Sequence, residues 1–142
     1  MYIYKRKAQY HETDQMGIIH HSNYVKWMEE ARVAFLDHVG LGYGKVERLG
    51  IASPVVAISV EYKKPVLFGD EVEVRVKVQK YSGAVMEFSY ELYNLTRGEI
   101  CTRASSRHCF LKENIVVSLK RELPELDRLM TDYMTEQDKE GM

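Results

Sequence analysis

Apolar residues recur along this chain with two different periods. From Tyr24 onward they fall at Tyr24, Trp27, Met28, Ala31, Phe35 and Val39, close to the 3.6-residue repeat of one helical face. Ser22 or Asn23 is expected to cap the start of that helix and Gly40 its end. Beyond Gly50 the period becomes two. Val56, Ile58, Val60 and Tyr62 alternate with Ala57, Ser59 and Glu61; Val72, Val74, Val76 and Val78 alternate with Glu73, Arg75 and Lys77; Met86, Phe88, Tyr90 and Leu92 alternate with Glu87, Ser89 and Glu91. Each is the pattern of an antiparallel strand with one covered face. Ser82-Gly83 and the stretch Asn94 to Gly98 read as the turns between neighbours.

The remaining elements have weaker signals. Ile100 to Leu111 reads as a strand with small and polar residues on both faces (Thr102, Ala104, Ser106), which suits close packing on both sides. Tyr2 to Gln9 reads as an edge strand bearing basic residues, and Leu41 to Gly50, with Gly42, Gly44 and Gly50, as a loop or short helical turn. Pro124 suits the first position of a C-terminal helix over about 123–135, with Leu126, Leu129, Met130 and Tyr133 on its apolar side. Ser118 to Glu122 is polar, and the tail after Glu136 is expected to fray. A long apolar helix ahead of four amphipathic strands buries its stripe if the sheet wraps around it. The expected class is therefore α+β, a long central helix wrapped by an antiparallel sheet, in a single domain spanning residues 1–142.

Charge and composition narrow the function classes. The net charge of −1 argues against a nucleic-acid binder that works by neutralising phosphates. No apolar run approaches the roughly 20 residues of a membrane-spanning helix. The opening Met1-Tyr2-Ile3-Tyr4-Lys5-Arg6-Lys7 lacks the apolar core of a secretory signal, so the expectation is a cytoplasmic protein. Cys101 and Cys109 lie on one expected strand, and eight residues of strand would separate them by roughly 26 Å, too far to bridge. Both are read as packed free thiols.

The candidate chemistry is concentrated between Tyr10 and Tyr24, where Glu12, Asp14, His11, His20, His21 and Gly17 lie between a strand and the start of the long helix. The first turn of a helix leaves its N–H groups unpaired, so this junction can offer oxyanion donors beside a carboxylate acting as base or nucleophile. Asp14 can also serve only its own backbone in a turn, and Glu12 is read as a solvated loop residue. His21 can be an ordinary loop histidine, and Trp27 a core residue. Adjacent His20-His21, with neither paired ligands on a helical face nor a CxxC knuckle, argues against a metal site. No GxSxG elbow, P-loop or dinucleotide glycine pattern is present. Glu29 and Arg32, three apart, are read as a structural pair on the helix.

The order Asp14, Gly17, Ile18-Ile19, His20-His21, Tyr24, Trp27, Glu29, Arg32 resembles the hotdog-fold acyl-CoA thioesterases of the 4-hydroxybenzoyl-CoA thioesterase type, and the likeness continues through Pro65 and Phe68-Gly69-Asp70 over roughly Tyr4 to Leu111. The resemblance implies a hotdog fold and hydrolysis of an acyl-CoA, or of an acyl group on acyl-carrier protein, to free acid and thiol. It implies Asp14 as general base or nucleophile and the backbone N–H of His21 as oxyanion donor, with the His21 imidazole able to orient substrate or protonate the leaving thiolate. Gly17, Ile18, Tyr24 and Trp27 would then border the acyl group, and Lys63, Lys64 and Arg107 are candidates for the coenzyme A phosphates. No metal or redox cofactor is required. Two sheets of this fold join edge to edge, implying a homodimer or homotetramer whose site lies between one subunit's helix start and the other's sheet. The rival reading is a non-catalytic acyl-CoA-binding hotdog module, which would be expected to lack the carboxylate. Hydration of an enoyl thioester would require a different His with Asp or Glu constellation.

Overall fold

The computed structural model describes residues 1–140. Strand β1 (Tyr2–Lys7) leads through a 3₁₀ turn at Tyr10–Glu12 to helix α1 (Ser22–His38). Helix α2 (Tyr43–Arg48) and strand β2 (Ile51–Ala52) follow, then β3 (Val55–Tyr62), β4 (Glu71–Tyr81), β5 (Val85–Asn94), β6 (Glu99–Lys112) and β7 (Ile115–Val117). Helices α3 (Leu119–Glu122) and α4 (Pro124–Glu140) close the chain. The strands form one antiparallel sheet in the order β1-β4-β5-β6, with β3 on the outer edge of β6 and the short β2 and β7 at its far end.

The covered face of the sheet is built as the alternation predicts. Val72, Val74, Val76 and Val78 on β4, and Met86, Phe88, Tyr90 and Leu92 on β5, are buried beneath Tyr24, Trp27, Met28, Ala31 and Phe35 of α1. The long helix wrapped by an antiparallel sheet is therefore observed. At its end, Gly40 has φ +91°. The Leu41 N–H bonds the Leu36 carbonyl at 2.8 Å and the Gly40 N–H bonds that of Asp37 at 3.2 Å, the paired closure that a left-handed glycine permits.

Several local expectations are corrected. Neither Ser22 nor Asn23 caps α1; the His20 imidazole Nδ1 accepts the Ser22 N–H at 3.2 Å and the His20 carbonyl accepts the Asn23 N–H at 3.0 Å. Arg32 does not pair with Glu29 but donates to the Tyr90 hydroxyl at 3.1 Å. That hydroxyl continues to Ser106 at 2.7 Å and on to His108 Nε2 at 2.8 Å. The two faces of β6 are unlike: Thr102, Ser106 and His108 are buried, Arg103 and Arg107 exposed. Burial, then the nearby Arg32 charge, lowers the His108 pKa to about 4 and keeps the ring neutral at physiological pH. The C-terminal helix runs to Glu140, past the expected end near 135, because Gln137 is buried and clamps the β4 backbone through both Val78 N–H (3.0 Å) and Val78 carbonyl (2.8 Å). Within the polar stretch Ser118 to Glu122, Leu119–Glu122 form α3 around the buried Leu119, and the two cysteines are free, as read.

The largest departure is β3. Its alternation predicts a covered face, yet Val56 and Ile58 are 56% and 42% exposed and Tyr62 is 48% exposed. Helix α1 lies over β4 and β5 and leaves most of this edge strand uncovered, with Val60 half-buried against the core and Tyr62 touching the helix start, an apolar strip that isolated soluble chains rarely present.

Candidate active site

The segment Thr13–Ile19 is a tight excursion closed by an antiparallel bridge between Thr13 and Ile19 and tied to the chain before β4 by a second bridge, Ile18 to Leu67. Asp14 holds it. Its N–H bonds the Ile18 carbonyl at 2.8 Å, its carbonyl accepts the Gly17 N–H at 3.1 Å, and its Oδ1 accepts the Met16 N–H at 2.8 Å and the Ile18 N–H at 3.4 Å. Gly17 has φ +81°, a conformation that a side chain would strain. The turn reading of Asp14 and the catalytic one are thus compatible: Oδ1 serves the backbone, while Oδ2 has no hydrogen-bond partner among the described residues.

Asp14, Ile18, Ile19, His21, Tyr24, Tyr62, Lys63, Lys64 and Pro65 line one open cleft. The wall formed by residues 62–66 is fixed from both sides. Lys63 and Lys64 donate their N–H groups to the Cys101 carbonyl at 2.9 and 3.1 Å, and the Val66 carbonyl accepts the Ile19 N–H at 2.8 Å. Tyr62 reaches across to donate its hydroxyl to the His21 carbonyl at 3.1 Å, with its ring edge-on to His21 and tilted against Tyr24. Tyr24 is 4% exposed. Burial pushes its phenol up to about 12, so it borders the cleft as a neutral group.

His21 sits where α1 begins, at φ −55° and ψ −29°. Its N–H makes no hydrogen bond among the described residues, while the carbonyls on either side of it are all engaged. A free N–H beside the positive end of a 17-residue helix is suited to a developing oxyanion.

Of the residues singled out from sequence, Asp14, Ile18, His21, Tyr24, Lys63 and Lys64 come together at this cleft, with Gly17 at the turn that shapes it. Trp27 does not: it is wholly buried and its indole N–H donates to Glu12 at 2.8 Å. Arg107 lies on β6 beside Ser59 and Glu87, in a different hollow of the same chain. Glu12 corrects its reading as a solvated residue. It is 4% exposed, with Arg6 at 2.6 Å and the Gln9 N–H at 2.8 Å on Oε1 and Trp27 on Oε2. Tyr62, which lines the cleft, was read from sequence only as a strand residue, and Asn23 only as a helix cap. The signal for Tyr62 was its place at the end of β3, three residues before Pro65. Among the described residues no three His, Cys, Asp or Glu side chains converge.

Comparison with known proteins places the chain in a family. Residues 8–125 match the model of the thioesterase-like superfamily. A Bacillus subtilis protein named "Putative acyl-CoA thioesterase YneP" is 39% identical over 117 residues, 80% of this chain and 84% of its own. An Aquifex aeolicus protein named "Putative esterase" is 35% identical over 125 residues, 88% of this chain and 96% of its own. The solved structure of DHNA-CoA thioesterase from Staphylococcus aureus superposes with a TM-score of 0.90 at 34% identity, covering 99% of this chain and 94% of that one.

Proposed function

Because the chain belongs to the thioesterase-like superfamily and is a thioester hydrolase of the hotdog fold, we propose that it cleaves acyl-CoA to free acid and coenzyme A at the Asp14 cleft. The observation that carries this reading is the pairing in one cleft of a carboxylate with one unengaged oxygen and an unengaged N–H at a helix start. The thioester carbonyl lies against the His21 N–H. In the general-base route a water oxygen attacks the carbonyl carbon and its proton passes to Asp14. The oxyanion collapses, the C–S bond breaks, and the leaving thiolate takes the proton back from Asp14, which restores the base. In the nucleophilic route Asp14 itself displaces the thiolate, and water then hydrolyses the mixed anhydride. Both routes consume one water and release acid and thiol. An acyl-carrier protein could present the same thioester. A non-catalytic binding module has no use for the aligned carboxylate, and it is the reading we set aside.

The active unit is proposed to be a homodimer, or a homotetramer built from it, joined through the exposed β3 edge. Its apolar strip and unpaired backbone suit a second copy of the same strand. Joining there would also carry Tyr62 and the lysines of each cleft toward the partner's sheet, where Arg107 could reach them. Light scattering at micromolar concentration should give at least twice the chain mass of 16.6 kDa. A fully active monomer would exclude a shared site.

The acyl group is proposed to be apolar. Ile18, Tyr24, Tyr62 and Pro65 offer it aliphatic and aromatic surface, and Lys63 and Lys64 at the rim suit the phosphates of coenzyme A. Such a surface separates acyl groups differing by one methylene by only about 1–3 kcal/mol. Hexanoyl-, palmitoyl- and benzoyl-CoA are all expected to be hydrolysed, with succinyl-CoA well behind in kcat/KM. Thiol release across that panel tests the reading: no hydrolysis of any member sinks it, and a preference for succinyl-CoA would reassign a lysine from phosphate to acyl carboxylate.

A further inference from the structure

Asn23 is buried at the start of α1 and is not among the residues that line the Asp14 cleft. Its Nδ2 donates to the Glu12 carbonyl at 2.9 Å and to the His20 carbonyl at 3.3 Å. The His20 carbonyl and the His21 N–H are the two ends of one peptide group. That carbonyl also accepts the Asn23 N–H at 3.0 Å, and the His20 N–H on the preceding peptide bonds the Glu12 carbonyl at 2.8 Å. Glu12 in turn is held by Arg6 and Trp27. The peptide that carries the unengaged His21 N–H is therefore gripped at its oxygen by Asn23, and through Asn23 it is tied to Glu12, whose carboxylate Arg6 and Trp27 hold. Hydrogen bonds accepted at a peptide oxygen polarise the amide and strengthen its N–H as a donor.

We infer that Asn23 is a positioning residue for hydrolysis, orienting and polarising the His20–His21 peptide so that the His21 N–H is aimed at the thioester oxyanion before substrate arrives. The inference rests on the assignment of that N–H as the oxyanion donor. Such a role acts on the transition state more than on substrate binding. It differs from a packing role, which would loosen the loop and weaken binding and turnover together.

The test is a double-mutant cycle between Asn23→Ala and His21→Pro, with His21→Ala as control. His21 has φ −55°, within the range proline imposes, so His21→Pro deletes the N–H at a compatible backbone angle, whereas His21→Ala deletes only the imidazole. His21→Pro should lower kcat by about 10²-fold, as loss of one oxyanion donor does. His21→Ala should cost much less. Asn23→Ala, which leaves the Asn23 N–H bond in place, should lower kcat about tenfold with KM within about threefold and no shift in the pH profile. Asn23→Asp keeps the shape, replaces the donor by an acceptor, and should lose at least as much if the alanine variant folds poorly. In the His21→Pro background the Asn23→Ala loss should nearly vanish, because the group it serves is gone. A full tenfold loss there, or a KM rising as far as kcat falls, overturns the role of Asn23 alone. A His21→Pro enzyme near wild type, or one no worse than His21→Ala, overturns the oxyanion assignment and this inference with it, leaving the hydrolase reading to the Asp14 variants.

Discussion

Asp14→Asn should fold as the parent does and lose on the order of 10²-fold or more in kcat. The amide is chosen for a structural reason. Asp14 Oδ1 accepts the Met16 and Ile18 N–H groups, and an asparagine carbonyl can accept both, so the turn that carries Gly17 at φ +81° survives. The change removes only the charge and basicity at Oδ2, the oxygen left free in the cleft. KM should move little, because the walls formed by Ile18, Tyr24 and Tyr62 are untouched. Asp14→Ala should be at least as inactive and less stable, since the Met16 N–H loses its acceptor. Steady-state kinetics beside thermal melts separate the two variants. Near-wild-type hydrolysis by Asp14→Asn would remove Asp14 as the catalytic carboxylate.

Much of this arrangement could be read in the chain because the physics behind it is local. The 3.6-residue stripe of α1 and the valines of β4 report their covered faces directly, since side-chain period is set by backbone geometry. The Asp14 to Gly17 turn is local as well. What was misread depends on contacts far apart in sequence. Glu12 is buried because Arg6 and the Trp27 indole reach it, from 6 residues before and 15 after, and nothing at position 12 itself announces that. The buried indole held a clue, as it requires an acceptor. Arg32 turned from the helical neighbour three residues away toward Tyr90, 58 residues on, where a hydroxyl network was waiting. β3 failed in the opposite sense: its alternation is sound, but α1 does not extend over it.

The contrast between the two carboxylates yields the second large effect. Glu12→Ala should destabilise the fold by on the order of 3 kcal/mol, because it takes one of the two carboxylates from the half-buried Arg6, leaving it Glu30 and the Trp27 ring face, and leaves the Trp27 and Gln9 N–H groups without an acceptor. For a chain of this size that is a fall in Tm of roughly 10 °C. The pH dependence has a definite sign. Burial alone would raise the Glu12 carboxyl, but the hydrogen bonds from Arg6, Trp27 and Gln9 outweigh it and hold it below its usual value of 4.5. A carboxyl depressed in the folded state contributes stability that is fully present above its unfolded pKa and is lost as pH falls through the folded one. Melting curves of the parent should therefore decline as pH drops below about 4.5. Glu12→Gln, which cannot titrate, should start lower and show a flatter acid limb. Activity should follow stability: below its melting transition the Glu12→Gln enzyme should retain most of its kcat, whereas Asp14→Asn loses kcat while keeping its Tm. Complete loss of turnover in a fully folded Glu12→Gln protein would reverse the two assignments and make Glu12 the carboxylate that acts on the thioester.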